Sequence, residues 1–337
     1  MVRLLRILSW FLVLVSFSGV SRSLATPEPL SLSSEQSDGH ITLDELGAYV
    51  ATLDMVWDGT IGFYWRDLNS TRTASYHADV IFPAASVMKV AILLYVYAHV
   101  PEFDDTEYDL LYQMVVYSNN WSANAMLALG AGGGVDDGYS AQLGAEEMTT
   151  MLHTLGLSDT VQLYPYDAGQ DGYQMRLSMI TPAVRRDPAD GYATESVPVT
   201  DPWMQTTAEE ISQVFLWIDE CRNGTGRLLQ HFPETLSAKR CQEMLDILAQ
   251  SSDATRLVAG LPPGTRVEHK GAWLDDMQAD VGIIRLDGHE YLVAIYAYRE
   301  GYLLDDAVRP LIARISQTIA QAYQFDSRPS PPAPLPR

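Results

Sequence analysis

The stretch Phe82-Pro83-Ala84-Ala85-Ser86-Val87-Met88-Lys89-Val90-Ala91-Ile92-Leu93-Leu94-Tyr95-Val96 constrains the chain most. Pro83 and the small residues after it open a helix. From Val87 onward the run is apolar nearly all round, the mark of a helix buried in a domain core. The fold must therefore surround this helix. Two polar groups stand at its start, Ser86 and Lys89, three apart and so on one face. Burying an unpaired ammonium costs several kcal/mol. Desolvation also lowers a lysine pKa, and a neutral amine can take the proton of a neighbouring serine, so the pair reads as a nucleophile and its base. The alternative for the same two residues is a helix cap and a snorkelling lysine.

Lysine usage sharpens the first reading. The chain has three lysines, Lys89, Lys239 and Lys270, and all its other basic side chains apart from histidine are arginine. Arginine cannot be deprotonated, so lysine is kept where a tunable amine is needed.

Residues 1–25 have the pattern of a secretory signal peptide: Arg3 and Arg6, an apolar run from Ile7 to Val20, then Ser23-Leu24-Ala25 as a small-x-small cleavage site. The run is short for a transmembrane span, and an uncleaved anchor is the alternative. No cysteine follows it, which argues against a lipidated anchor. Residues 26–41 are a polar linker, and 327–337 form a proline-rich tail expected to be disordered. Residues 42–326 are left for one large domain. The formal charge is −21, and removing the leader's three arginines takes it to −24. Such a surface repels nucleic acid and anionic membrane.

The remaining segments alternate in a definite order. A helix at Leu43–Leu53 precedes a hairpin, with strands at 58–66 and 72–77, and then the Ser86 helix. Helices at Tyr108–Tyr117 and Glu146–Leu155 flank Ser118-Asn119-Asn120-Trp121-Ser122-Ala123-Asn124, where Asn120 and Asn124 are spaced as in a capping turn. Residues 160–206 read as irregular, and so long a segment in a compact domain is usually functional. Thr206-Thr207-Ala208-Glu209-Glu210 caps another helix. A strand starts at Val267, a hairpin turns at Asp287-Gly288, and an amphipathic helix closes the domain at Asp305–Tyr323. The order predicts an α+β fold: one antiparallel sheet built from both chain ends, with an inserted helical lobe. Cys221 and Cys241 stand on consecutive helices joined by a glycine-containing turn. A disulfide is expected in an oxidising compartment, the alternative being two buried thiols.

Three elements line up in order: Ser86-x-x-Lys89, Ser118-Asn119-Asn120 and Lys270-Gly271-Ala272. Their order and contexts resemble the class A β-lactamase and penicillin-binding-protein superfamily over roughly residues 42–323. The resemblance implies a β-lactamase/transpeptidase-like fold and acyl transfer through a serine ester. Ser86 would be the acylated nucleophile and Lys89 its amine partner. Ser118 would relay a proton toward the leaving nitrogen, and Asn120 would hold the substrate amide. Lys270 would add positive potential near a substrate carboxylate. The backbone N–H groups of Ser86 and Trp273 would form the oxyanion hole.

The chain departs from the family pattern in four places. Asn119 stands where aspartate is usual. Gly271 stands where a hydroxyl residue is usual, losing one donor to a substrate carboxylate. Tyr291 aligns near a position where many β-lactamases keep a carboxylate-binding arginine. No R-x-E-P-x-L-N loop is evident; the nearest candidate for its deacylating glutamate is Glu195, which otherwise reads as a solvated loop acid. The expected protein is a secreted or periplasmic serine hydrolase, monomeric, acting on a β-lactam or a related amide or ester. A slowly deacylating peptidase-like enzyme for cell-wall peptides is one alternative, and a non-catalytic binding protein on the same fold is the other. No cofactor or metal is implied, since the histidines are scattered and form no H-E-x-x-H.

Overall fold

The computed structural model describes residues 41–167, 203–299 and 305–326. The expected signal peptide, most of the linker, the proline-rich tail and Glu195 lie outside the described residues.

The described residues begin with a 3-10 turn and helix α1 (Leu46–Trp57), which ends on Asp58 in the left-handed conformation. Strands β1 (Thr60–Asp67) and β2 (Thr73–Tyr76) form the first hairpin. The short strand β3 (Ile81–Pro83) leads through a 3-10 turn, Ala85–Met88, into α2 (Lys89–His99). Then come α3 (Asp105–Val116), α4 (Asn120–Gly130) and α5 (Gly138–Thr154). Each has an acceptor side chain at its N-cap: Asp104 for α3, Asn119 for α4 and Asp137 for α5. α5 starts eight residues earlier than its apolar spacing suggested, because Asp137 caps it ahead of the first hydrophobic turn.

Strands β4 (Val161–Gln162) and β5 (Met204–Thr207) pair with β3 in the order β3-β5-β4. Helix α6 (Ala208–Arg222) opens on Thr207, which accepts from the Glu210 N–H, as the sequence indicated. Helix α7 (Ala238–Leu248) follows, and a disulfide joins Cys221 of α6 to Cys241 of α7 with Cα atoms 5.8 Å apart.

Strands β6 (Arg266–Trp273), β7 (Met277–Leu286) and β8 (His289–Tyr298) precede the closing helix α8 (Asp305–Asp326). The large sheet runs β2-β1-β8-β7-β6, entirely antiparallel. It is the sheet of both chain ends that the sequence predicts. Leu286 pairs with His289, so only Asp287 and Gly288 form the turn, with φ of 51° and 85°. Two left-handed residues in a row are what a two-residue hairpin with native twist requires.

The sheet divides the core in two. Strand residues alternate in facing direction. Phe63, Trp65, Tyr291, Val293 and Ile295 join the cluster under α1 and α8. Tyr64, Leu292, Ala294 and Tyr296 join the larger cluster of the helical lobe. In that lobe α2 is buried from Lys89 to Ala98, enclosed by α3, α4, α5 and α6. Each of its large aliphatic side chains contributes about 1.5–3 kcal/mol by leaving water. That burial fixes the helix axis, and with it the two polar groups at its start.

Candidate active site

Ser86 lies in the 3-10 turn that leads into α2. The turn is reached through Ala85 at φ 42°, a conformation that a residue with a Cβ seldom takes. Tyr166 braces it: its hydroxyl donates to the Ala85 carbonyl at 2.8 Å. Ser118 (φ 60°) and Asp167 (φ 52°) are left-handed too, so three of the six such non-glycine residues among those described stand in this one place. Backbone held against its preference in a cleft points to a functional constraint.

Lys89 is fully buried. Its Nζ donates to Ser86 Oγ at 2.8 Å and to Asn120 Oδ1 at 2.7 Å, and lies 4.0 Å from the centre of the Tyr166 ring. Burial, and after it the charge of Lys270, pushes its pKa down to about 6 against an upward pull from Asp167. At neutral pH the free amine then predominates. In that form the hydrogen bond to Ser86 reverses and Nζ accepts the hydroxyl proton.

The second motif follows the end of α3. Asn119 is the N-cap of α4, and its side chain accepts from the Ser122 N–H at 2.9 Å. Any short acceptor serves there, which explains why asparagine can replace the usual aspartate. Lys270 Nζ donates to Ser118 Oγ at 3.0 Å and to the Gly271 carbonyl at 3.2 Å. Burial pushes the Lys270 pKa down to about 8. Asp280 and Asp253 pull it up and Arg256 pushes it further down.

Asn120 links the motifs to the far wall: besides accepting from Lys89, its amide donates to Asp167 Oδ2 at 3.0 Å. Asn124, one turn on, is more than the capping residue its spacing suggested. Its side chain accepts from the Tyr166 N–H at 2.7 Å and donates to the Tyr166 carbonyl at 2.8 Å. This amide pair fixes Tyr164-Pro165-Tyr166-Asp167 against α4. The sequence marked the long segment from residue 160 but singled out neither Tyr166, Asp167 nor the partner of Asn124, because these contacts join residues 42 to 81 apart with no periodic pattern between them.

The third motif explains its own glycine. A Cβ at Gly271 would stand 2.5 Å from Asp253 Oδ2 and 2.9 Å from Arg256 Nη1. Asp253 and Arg256 are hydrogen-bonded to each other, and Arg256 Nε donates to Gln278 Oε1 at 3.0 Å. A buried guanidinium therefore presses on the strand where a hydroxyl side chain was expected. Arg256 is a candidate that sequence reasoning missed. Tyr291, by contrast, is not near the site. It is fully buried on the other face of the sheet, stacked on Tyr323 with centroids 4.9 Å apart. Alternation along β8 turns it away from the cleft, and Leu292 takes the opposite face.

Ser86, Asn120, Tyr164, Tyr166, Asp167, Trp203 and Trp273 line one cleft of about 270 Å³. Trp273, at the end of β6, is 66% exposed. Strand β6 packs against the turn carrying Ser86, so the third motif meets the first. The third lysine of the chain, Lys239, lies far out on α7, highly exposed beside Glu243. Among the described residues no cluster of His, Cys, Asp and Glu is suited to a metal ion. No helix among them is long and apolar enough to cross a membrane.

The model of the Beta-lactamase enzyme family matches residues 46–104 and 102–323, and the chain belongs to that family. Solved structures agree on the fold. A point mutant of PBP-A, held as its acyl-enzyme with penicillin G, is 20% identical with a TM-score of 0.60, covering 84% of this chain and 98% of its own. PBP-A itself is 20% identical with a TM-score of 0.59, covering 85% and 98%. A variant of the class A β-lactamase of the last common ancestor of Gram-negative bacteria is 19% identical with a TM-score of 0.59, covering 83% and 99%. No curated protein sequence matches the chain.

Proposed function

We propose that this chain is an exported active-site serine enzyme, acylated at Ser86 by β-lactams or related amides and esters. The carrying observation is the buried Lys89 amine, with a pKa near 6, 2.8 Å from the Ser86 hydroxyl oxygen. In the proposed reaction Lys89 takes the Ser86 proton as Oγ attacks the carbonyl carbon. The C–O bond forms, the C–N bond breaks, and Ser118 delivers a proton to the departing nitrogen. Lys270 lends that proton relay its charge through the 3.0 Å contact. The backbone N–H groups of Ser86 and Trp273 hold the oxyanion, each such donor being worth about 3–4 kcal/mol. Asn120 holds the substrate amide, and Lys270 with Arg256 supplies positive potential for a carboxylate. Export fits the Cys221–Cys241 bridge.

Tyr166 favours slow release of the acyl group, as in a penicillin-binding peptidase. Its ring, not a carboxylate, lies against Lys89, and its hydroxyl is spent on Ala85. Rapid turnover would fall to Glu195 as the base for the hydrolytic water. Intact mass of the exported domain mixed with penicillin G, with Ser86→Ala beside it, tests both readings. A Ser86-dependent adduct that persists supports the slow enzyme, and one that clears supports a β-lactamase. No adduct with any β-lactam or ester removes the acyl-transfer reading and leaves the non-catalytic binding protein.

A further inference from the structure

The cleft carries a charge pattern that the acyl-transfer chemistry does not require. Asp167 is exposed and lines the cleft beside Ser86. Its Oδ2 accepts from Asn120, while Oδ1 has no hydrogen-bond partner among the described residues. Aromatic side chains line the same cleft. Tyr164 and Trp203 meet edge to face with centroids 5.7 Å apart, and the exposed Trp273 lines the cleft with them. A carboxylate among aromatic walls is a place for an organic cation, which gains both ion pairing and cation–π attraction.

Position says which part of a substrate would meet it. Lys270 and Ser118, the leaving-group arm, are not among the residues lining this cleft. Asp167 is bonded instead to Asn120, which in the proposed reaction holds the substrate amide, here the one on the acyl side of the scissile bond. The two arms thus have opposite charge, positive beyond Ser118 and negative beyond Asn120.

We propose that the enzyme selects substrates with a protonated amine on the acyl side of the scissile bond, held by Asp167. This rests on the acyl-transfer reading above and narrows it to amine-bearing acyl donors. The left-handed backbone at Asp167 and the Asn124–Tyr166 amide pair hold the carboxylate in place before the substrate arrives.

Ampicillin and benzylpenicillin, which differ by one α-amino group, test it. Their second-order rates of Ser86 acylation are compared by intact mass at pH 6.5, where an α-amine is charged. The expected preference for ampicillin is about three- to tenfold, the range of a partly exposed ion pair plus one cation–π contact. It should shrink as salt is raised and fall toward unity in Asp167→Asn, which keeps an oxygen for the Asn120 amide. A ratio of one in the unaltered protein, or a preference that Asp167→Asn leaves intact, overturns the proposal. If neither compound acylates Ser86, the acyl-transfer reading is what fails. The amine site is then read by ligand-observed NMR with phenylglycinamide and phenylacetamide. Equal binding of the two overturns it, and stronger binding of the cation that is lost in Asp167→Asn supports it.

Discussion

The Tyr166 hydroxyl donates to the carbonyl of Ala85, the residue directly before Ser86, at 2.8 Å. The bond ties a wall of the cleft to the left-handed turn that aims Ser86. Replacing Tyr166 by phenylalanine keeps the ring over Lys89 and removes this bond. A buried carbonyl is left without that donor, so Tyr166→Phe is expected to lose about 1–2 kcal/mol of stability. Its Ser86 acylation rate should fall by about tenfold or more as the nucleophile loosens. Urea unfolding and adduct kinetics measured on one preparation check both outcomes.

Acylation should depend on pH as a bell. Lys89, pushed down to about 6 by burial and Lys270, must be neutral to take the serine proton, so the rate rises as pH climbs through 6. Lys270, pushed down to about 8 by burial, must be charged to support Ser118, so the rate falls as pH climbs through 8. Rates with a non-ionising β-lactam from pH 5 to 9 test this. A profile flat across 6 would remove Lys89 as the base.

The same lysine sets a pH dependence of stability. Unfolded, it titrates at its ordinary value; folded, it titrates near 6. Between those values the unfolded chain binds the extra proton, so stability rises with pH there; below about 6 the whole penalty for a buried ammonium is present. In Lys89→Met that slope disappears. The stability of Lys89→Met relative to the unaltered protein should therefore be greatest near pH 5 and decline toward pH 10, as denaturant midpoints would show.

Restoring a hydroxyl at position 271 should harm the protein. The new Cβ collides with Asp253 and Arg256, which are paired to each other and cannot withdraw without leaving a buried charge. Gly271→Ser is expected to cost about 1–3 kcal/mol. Paired with Arg256→Ala it should cost less than the sum of the two single changes, because they share one space. Strict additivity in thermal unfolding would contradict this account.

Removing the Cys221–Cys241 bridge by double serine substitution is expected to cost about 3 kcal/mol, the usual value for a closed loop of this size. Ser86 acylation at low temperature should persist, since the bridge joins α6 to α7 and touches none of the three motifs. Loss of acylation in a protein that is still folded would show that the bridge shapes the site.

The legible part of the molecule is the part whose chemistry dictates residue type. A buried amine beside a hydroxyl needs lysine and serine one turn apart, and the Ser86–Lys89 contact could be read for that reason. The hairpin at Asp287-Gly288 could be read because two left-handed residues leave few choices. Asp167, Arg256 and the anchor of Asn124 could not. Each acts through a contact between distant segments, and the same residue types are common in loops and surfaces. Tyr291 shows the opposite error. Its side chain lies on the face of β8 turned away from the cleft, and in a strand one residue is the difference between two faces.

The central strand of the large sheet is β8, paired on one side with β1 across Thr60↔Tyr298 and on the other with β7. The amino-terminal hairpin therefore has no further strand partner until almost the whole polypeptide has been made. The cleft, whose third motif rests on that sheet, cannot assemble while synthesis continues. Contacts this far apart in sequence form slowly. Such a chain emerges from the ribosome without its finished tertiary structure, which is the state a secretion channel can thread, and it matures only after its last strand has arrived.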